Sequence, residues 1–262
     1  MEHSRAVVVT GAGSGLGAAA VRRFLAAGYA VHGFDLNPGD APVPEAAAAQ
    51  FFPAAVDVTD DAAVGRAVAA AAAVHEIVGL VHCAGIAAFG PAQPGHLLAP
   101  DTGEPFDNLA AIERTLRVNL LGSFVTVRRV AASMAAREVP AGAERGFIVL
   151  TSSGAATDGK AGQSAYSASK SGVIGMTLPL ARELGAFGIR VATIAPGLFD
   201  TPILDGTPKL TRHVPFPARV GNPEEFAALA HHIAENAYIN GEVIRIDGGI
   251  RGEFASPAPF VR

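Results

Sequence analysis

The chain has 262 residues, of which 50% are apolar and 17% charged, and its net charge is −4. Such a composition buries a sizeable core in one domain. With no basic run, it excludes a general nucleic-acid or anionic-membrane surface, because phosphate is met by clustered Lys and Arg.

One cysteine, Cys83, cannot form an internal disulfide. The apolar run at the N-terminus is too short for a signal peptide, and no stretch approaches the roughly 20 residues of a membrane span. A soluble cytoplasmic protein with small-molecule partners, neither nucleic acid nor membrane, is expected.

In chain order, apolar and β-branched runs at 5–10, 30–35, 51–56, 77–83, 146–152, 189–195 and 242–247 predict buried strands. Ala- and Leu-rich segments with helical spacing lie between them, at 16–28, 62–73 and 167–185. Alternating strands and helices, with the strands apolar on both faces, predict an α/β protein. Its seven-stranded parallel sheet is covered on both faces, in a doubly wound Rossmann fold spanning residues 1–262 as a single domain. Two stretches break the rhythm. The Pro- and Gly-rich 89–108 is predicted to be a surface insertion. The stretch 198–223 follows the sixth strand at its carboxyl end, where ligands enter such sheets, and is predicted to be a substrate lid.

"TGAGSGLG" at 10–17 leaves the first strand and opens a helix. Gly11, Gly15 and Gly17 have the spacing G-x-x-x-G-x-G, which allows a sharp turn and brings backbone N–H groups against a pyrophosphate. A tight βα turn without a ligand also uses glycine, so the following acid matters. Asp35 ends the second strand, where a carboxylate accepts hydrogen bonds from both ribose hydroxyls of NAD. It would repel the 2′-phosphate of NADP, and Ser14, Leu36 and Asn37 supply no compensating cation. NAD is therefore the expected cofactor. Asp57 ends the next strand and is a candidate for the adenine amino group. In the same "TDD" stretch, Thr59 or Asp60 is a candidate helix cap.

Tyr166 and Lys170, in "YSASK", lie four residues apart on one helical face. A phenol titrates near pH 10, and a neighbouring ammonium stabilises its phenolate, so Lys170 is expected to lower the pKa of Tyr166. Ser153, in "LTSSG", is placed to donate a hydrogen bond to a carbonyl or alcoholate oxygen. No metal site is assigned.

Taken together, "TGAGSGLG", "CAG" at 83–85, "RVNLLG" at 117–122, "LTSSGAA", "YSASK" and "PG" at 196–197 resemble the short-chain dehydrogenase/reductase family across the whole chain. The family's interval from serine to tyrosine selects Ser153 over Ser152. The resemblance implies a catalytic tetrad of Asn119, Ser153, Tyr166 and Lys170. In it, Asn119 holds a helix kink and a water of the proton relay, and Lys170 also binds the nicotinamide ribose. It further implies that the cofactor is bordered by Gly11, Ser14, Gly15, Leu16, Gly17, Asp35, Asp57 and Val58. Cys83, Ala84, Gly85, Tyr166, Lys170, Pro196, Gly197, Leu198, Phe199 and Thr201 complete that border. One position departs: His82 stands where the family usually has asparagine, and it is taken as a packing substitute.

Within the family, the second half is similar to the type 2 3-hydroxyacyl-CoA dehydrogenase and hydroxysteroid dehydrogenase subgroup, which also carries an insertion near 89–108. That similarity implies NAD-dependent oxidation of a 3-hydroxyacyl-CoA to the 3-ketoacyl-CoA, some tolerance for steroid-like alcohols, and a homotetramer. Phe89, Leu204, Leu210 and Phe216 would line an acyl or steroid channel. Lys209, Arg212 and Arg219 would meet coenzyme A phosphates or be ordinary solvated cations. The alternatives are another short-chain reductase, acting on 3-oxoacyl-carrier-protein, acetoacetyl-CoA or a hydroxysteroid, or a non-catalytic NAD-sensing protein.

Overall fold

The seven apolar runs form seven strands: β1 (Arg5–Thr10), β2 (Ala30–Asp35), β3 (Phe51–Ala55), β4 (Glu76–His82), β5 (Gly146–Thr151), β6 (Ile189–Pro196) and β7 (Val243–Ile246). The structure is a computed structural model that describes residues 4–38, 43–87, 96–98, 102–204 and 214–251. All strands pair in parallel, in the order β3-β2-β1-β4-β5-β6-β7. Winding reverses between β1 and β4, and a cleft opens at the carboxyl ends of the strands on either side of such a reversal.

Side-chain alternation along each strand sends residues to two cores. Val8, Leu80, Ile148 and Val191 face α2 (Asp61–Ala72), α4 (Gly122–Ala135) and α5 (Ser164–Gly185). Val7, Val81, Val149 and Ile194 face α1 (Gly15–Ala26) and α6 (Pro223–Glu235). Phe24 of α1 is fully buried, with its ring 5.9 Å from Phe147 and 5.6 Å from Tyr29. Each such side chain contributes about 1.5–3 kcal/mol on leaving water. The doubly wound expectation holds.

The helix ends follow their sequences. Asp60, rather than Thr59, caps α2 by accepting from the backbone N–H groups of Ala62 and Ala63. Asn222 and Glu225 close a reciprocal capping box at α6, with Pro223 at its first position. α1 differs: Ser14 makes no side-chain cap, so the first-turn N–H groups face the cleft without a side-chain partner. Between α3 (Leu109–Leu116) and α4, residues Arg117–Leu121 form a π-helical turn with Asn119 inside it.

Of the insertion, 96–98 and 102–108 are described. Leu98 bridges Pro105, the Phe106 N–H donates to the Leu97 carbonyl (3.0 Å), and Asn108 Nδ2 donates to the His96 carbonyl (2.9 Å). His96 also lies against Gly162, where an added Cβ would come 3.0 Å from its Nε2. The insertion thus touches the turn that precedes α5. The base of the 198–223 stretch is tied by Phe199 and Gly221, with Asp200 N–H to Gly221 O at 2.9 Å and Gly221 N–H to Leu198 O at 2.8 Å. Residues 205–213, with Lys209, Leu210 and Arg212, lie outside the described residues, as do Phe89 and the tail 252–262.

Candidate active site

A cleft of about 690 Å³ runs along the carboxyl ends of the strands. Every residue assigned above to the cofactor borders it, as do Ser152 and Ser153.

The glycine turn is shaped by close approach. Gly11 (φ +66°) lies where a Cβ would come 2.8 Å from the Ala84 nitrogen, and a Cβ on Gly17 would come 2.0 Å from the Gly11 carbonyl oxygen. No side chain fits at either position without moving backbone. Gly13, absent from the predicted set, holds the acid in place. Its N–H donates to Asp35 Oδ2 at 2.9 Å and the Asn37 N–H donates to Oδ1 at 3.0 Å, while Leu36 beside them is 65% exposed. A bare helix N-terminus and a fixed carboxylate about 20 residues further on fit a dinucleotide. Asp57 is exposed and accepts from the Thr59 N–H and hydroxyl, both at 2.8 Å.

At the other end, the Tyr166 phenol hydrogen-bonds Ser153. Ser153 caps a short 3-10 turn, Gly154–Ala156, by accepting from the Ala155 N–H at 3.1 Å. Lys170 is 5% exposed; its Nζ donates to the Thr151 carbonyl at 2.9 Å and lies 5.9 Å from the centroid of the Tyr166 ring. Burial lowers its pKa to about 8. The expectation that Lys170 lowers the phenol pKa is corrected: burial raises it, and the opposing pull is the hydrogen bond with Ser153. Ser152 turns the other way and donates to the Lys170 carbonyl at 2.8 Å.

Asn119 is fully buried behind the cleft. Its Oδ1 accepts from the Ile86 N–H (2.8 Å), and its Nδ2 donates to the Ile86 carbonyl (2.9 Å) and to Ser169 Oγ (3.0 Å). One amide therefore pins the chain leaving β4 to α5. The π-helical turn gives the residue this inward position.

His82 is 2% exposed, with Nδ1 2.9 Å from Thr10 Oγ1, and Thr10 Oγ1 in turn accepts from the Ala84 N–H at 3.1 Å. Burial, then the nearby Lys170 charge, lowers the His82 pKa to about 3. The neutral ring ties β4 to β1 at the strand reversal. The Cys83 thiol is pushed up to about 12 by burial.

The structure separates the remaining assignments. Phe216 is 82% exposed and is not among the residues lining the cleft. Arg219 is bound in a fork to Glu225 (2.8 Å for each bond) and is not among the residues lining the cleft. The cleft instead carries Arg114 and Lys160. Thr10, Gly13, Ser152 and Ser169 complete the supporting set, and each works through a partner far away in sequence that no local pattern announces.

The comparisons agree with this geometry. The pattern of the family described as short chain dehydrogenase matches residues 5–209. A Homo sapiens protein named 3-hydroxyacyl-CoA dehydrogenase type-2 is 44% identical over 252 residues, covering 93% of this chain and 94% of its own. The crystal structure of a protein of that name from Mycobacterium avium superposes with a TM-score of 0.86 at 38% identity, covering 95% of this chain and 96% of that one. A 3-ketoacyl-(acyl-carrier-protein) reductase from Brucella melitensis, solved with NADH, gives a TM-score of 0.79 at 25% identity, covering 95% of this chain and 98% of that one. The chain belongs to the short-chain dehydrogenase family, whose members typically use NAD or NADP, and is an oxidoreductase.

Proposed function

We infer that the protein is an NAD-dependent 3-hydroxyacyl-CoA dehydrogenase that interconverts a 3-hydroxyacyl-CoA and its 3-ketoacyl-CoA. The observation that carries this reading is the Tyr166–Ser153 hydrogen bond in a cleft whose other end is set by the Asp35 carboxylate. The name of the Homo sapiens relative at 44% identity supports the acyl-CoA substrate.

A bound nicotinamide dinucleotide supplies the hydride acceptor and donor. Gly11, Ser14, Gly15, Leu16 and Gly17 hold its phosphates through backbone. Asp35 takes the adenosine ribose and discriminates against a 2′-phosphate by charge. Asp57 and Val58 border the adenine. Cys83, Ala84, Gly85 and the run Pro196, Gly197, Leu198, Phe199 and Thr201 border the remainder.

Tyr166 moves the proton. In ketone reduction it donates its hydroxyl proton to the carbonyl oxygen, and in alcohol oxidation its phenolate takes the proton back. Burial keeps the phenol neutral at pH 7, so the donor form is the resting one and alcohol oxidation gains as pH rises. Ser153 orients the substrate oxygen. Lys170 contributes positive charge and a contact to the nicotinamide ribose, and Asn119 keeps α5 and the chain after β4 in register. Arg114 and Lys160 supply positive charge for the phosphates of a coenzyme A thioester. A homotetramer and a cytoplasmic location belong to the same proposal; among the described residues no helix is long and apolar enough to cross a membrane.

The test is the initial rate of acetoacetyl-CoA reduction with NADH and with NADPH, followed at 340 nm. Turnover preferring NADH is expected. Turnover preferring NADPH would move the protein to the carrier-protein reductases, and NADH binding without turnover would overturn the acyl-CoA substrate.

A further inference from the structure

We propose that Arg245 is a positioning residue for the reaction: its guanidinium clamps the segment led by Ser153 onto the end of β7, and so holds the Ser153 hydroxyl against the Tyr166 phenol. The rate arm of its test rests on the function inferred above; the titration arm does not.

Arg245 lies on the edge strand β7 and borders the cleft. Its head is shared among four partners on two segments. Nη1 donates to Thr157 Oγ1 (2.6 Å) and Nη2 to Asp158 Oδ2 (2.5 Å), both just after the 3-10 turn that Ser153 caps. Nε donates to Asp247 Oδ2 (2.7 Å) and Nη2 also donates to the Ile250 carbonyl (3.1 Å), both in the chain leaving β7. Asp247 is itself 5% exposed at its side chain and receives Arg251 Nη1 (2.5 Å) and the Gly249 N–H (3.0 Å).

The same short segment carries the loop after β6. The Gly197 N–H donates to the Ile246 carbonyl at 2.9 Å, and a Cβ at Gly197 would come 2.7 Å from that of Asp247. One guanidinium therefore fixes the serine-bearing segment to the strand end against which the Pro196–Gly197 wall is built. The turn between them is short: the Thr157 and Asp158 N–H groups both donate to the Gly154 carbonyl, at 3.2 and 3.0 Å. A displacement of Asp158 is transmitted to Ser153 within one turn.

A hydrogen bond to the phenolate stabilises it, so losing the Ser153 contact raises the pKa of Tyr166 further. The other charged or titratable groups bordering that end of the cleft are Lys170 on the same helix, Cys83 at the end of β4, Asp158 and Lys160 on the loop, and Arg114 on α3. Buried His82 lies behind Cys83. None of these is a direct partner of Arg245 except Asp158, so an Arg245 variant reaches the phenol through the Ser153 segment.

The experiment compares Arg245→Met, Arg245→Lys and Asp158→Asn with the parent protein. The phenol is titrated by absorbance at 295 nm, with the matching Tyr166→Phe variant subtracted to remove Tyr29 and Tyr238. Arg245→Met is expected to raise the midpoint by about one pH unit and to lower kcat for acetoacetyl-CoA at pH 7 about tenfold, with the NADH Kd within about twofold. Arg245→Lys should recover part of both effects. Asp158→Asn, which leaves Arg245 in place, should move both in the same direction by less, and it stands as the test if Arg245→Met does not fold. An unmoved phenol midpoint in the folded variants overturns the proposal even if turnover is intact in the parent. A moved midpoint in a protein whose parent ignores acetoacetyl-CoA leaves the clamp standing and removes the acyl-CoA assignment instead.

Discussion

The two ends of the cleft are built by different means. At the ribose end the working groups are backbone N–H donors and one carboxylate, and the Gly13 N–H reaches Asp35 across 22 residues, from one strand end to the next. At the reacting end they are side chains held by other side chains: Asn119 reaches Ser169 across 50 residues and Arg245 reaches Thr157 across 88. The first end is a strand-turn-helix whose acid lies on the adjacent strand β2. The second exists only when β4, β5, β7, the π-helical turn and α5 are all in place. A substitution at the first end should therefore change which cofactor is bound, and one at the second should change the rate with cofactor binding intact.

Tyr166→Phe makes the largest break in that division. It removes one oxygen and leaves the ring, so packing is preserved while proton transfer is lost. A fall in kcat of about 10³-fold is expected, within the range of general acid–base catalysis and equivalent to about 4 kcal/mol. NADH affinity, measured by fluorescence titration, should stay within a factor of about two. Retention of a tenth of the parent rate would remove the phenol as the proton donor.

Asp35→Asn probes the other end with a smaller effect. Asparagine keeps an oxygen to accept from Gly13 or Asn37, so the loop retains a support, and only the charge is lost. The preference for NADH over NADPH, taken as the ratio of kcat/KM values, should fall about tenfold or more, as expected for hydrogen bonds to a charged group. An unchanged ratio would place the discrimination elsewhere, and a fall in kcat with both cofactors would erase the division between the two ends.

The same division explains what could be read without the structure. β1, the glycine turn, Asp35 and the parallel, doubly wound sheet follow from local patterns, because strands buried on both faces are continuous apolar runs and tight turns demand glycine. Tyr166 and Lys170 are legible as a helical pair, and Ser153 from its interval. The supports are not legible. Ser152 and Ser153 are adjacent and chemically identical, yet one donates to the Lys170 carbonyl and the other bonds the phenol. Arg219 is either a phosphate contact or a solvated cation in the sequence, and the structure pairs it with the capping residue Glu225. Lys170 looks like the group that tunes the phenol, yet one of its N–H groups is held by the Thr151 carbonyl and burial is the largest cause of both pKa shifts. In each case the missing information is which of several similar partners a buried polar group meets, and that is fixed by tertiary packing.

His82 lies where the two ends join, bonded to Thr10 at the head of the glycine turn and within the field of Lys170. Its effect is the smallest and is read in stability. The folded-state pKa is about 3 against a reference of 6.5, so between these values the unfolded chain binds a proton that the folded chain refuses. Stability from this group is therefore full above pH 6.5 and declines as pH falls toward 3, by at most about 1.4 kcal/mol per pH unit. His32, lowered to about 4 by burial and by His75, acts in the same direction over a narrower window. Carboxylates with depressed values, such as Asp61 and Glu225, act mainly below pH 5, so the interval from pH 6.5 to 5 isolates the histidines. Over it, urea unfolding at fixed protein concentration should show His82→Asn losing about 1–2 kcal/mol less than the parent. Parallel pH slopes for the two proteins would mean that His82 accepts its proton in the fold, and the junction between the two ends would then tolerate a charge beside Lys170.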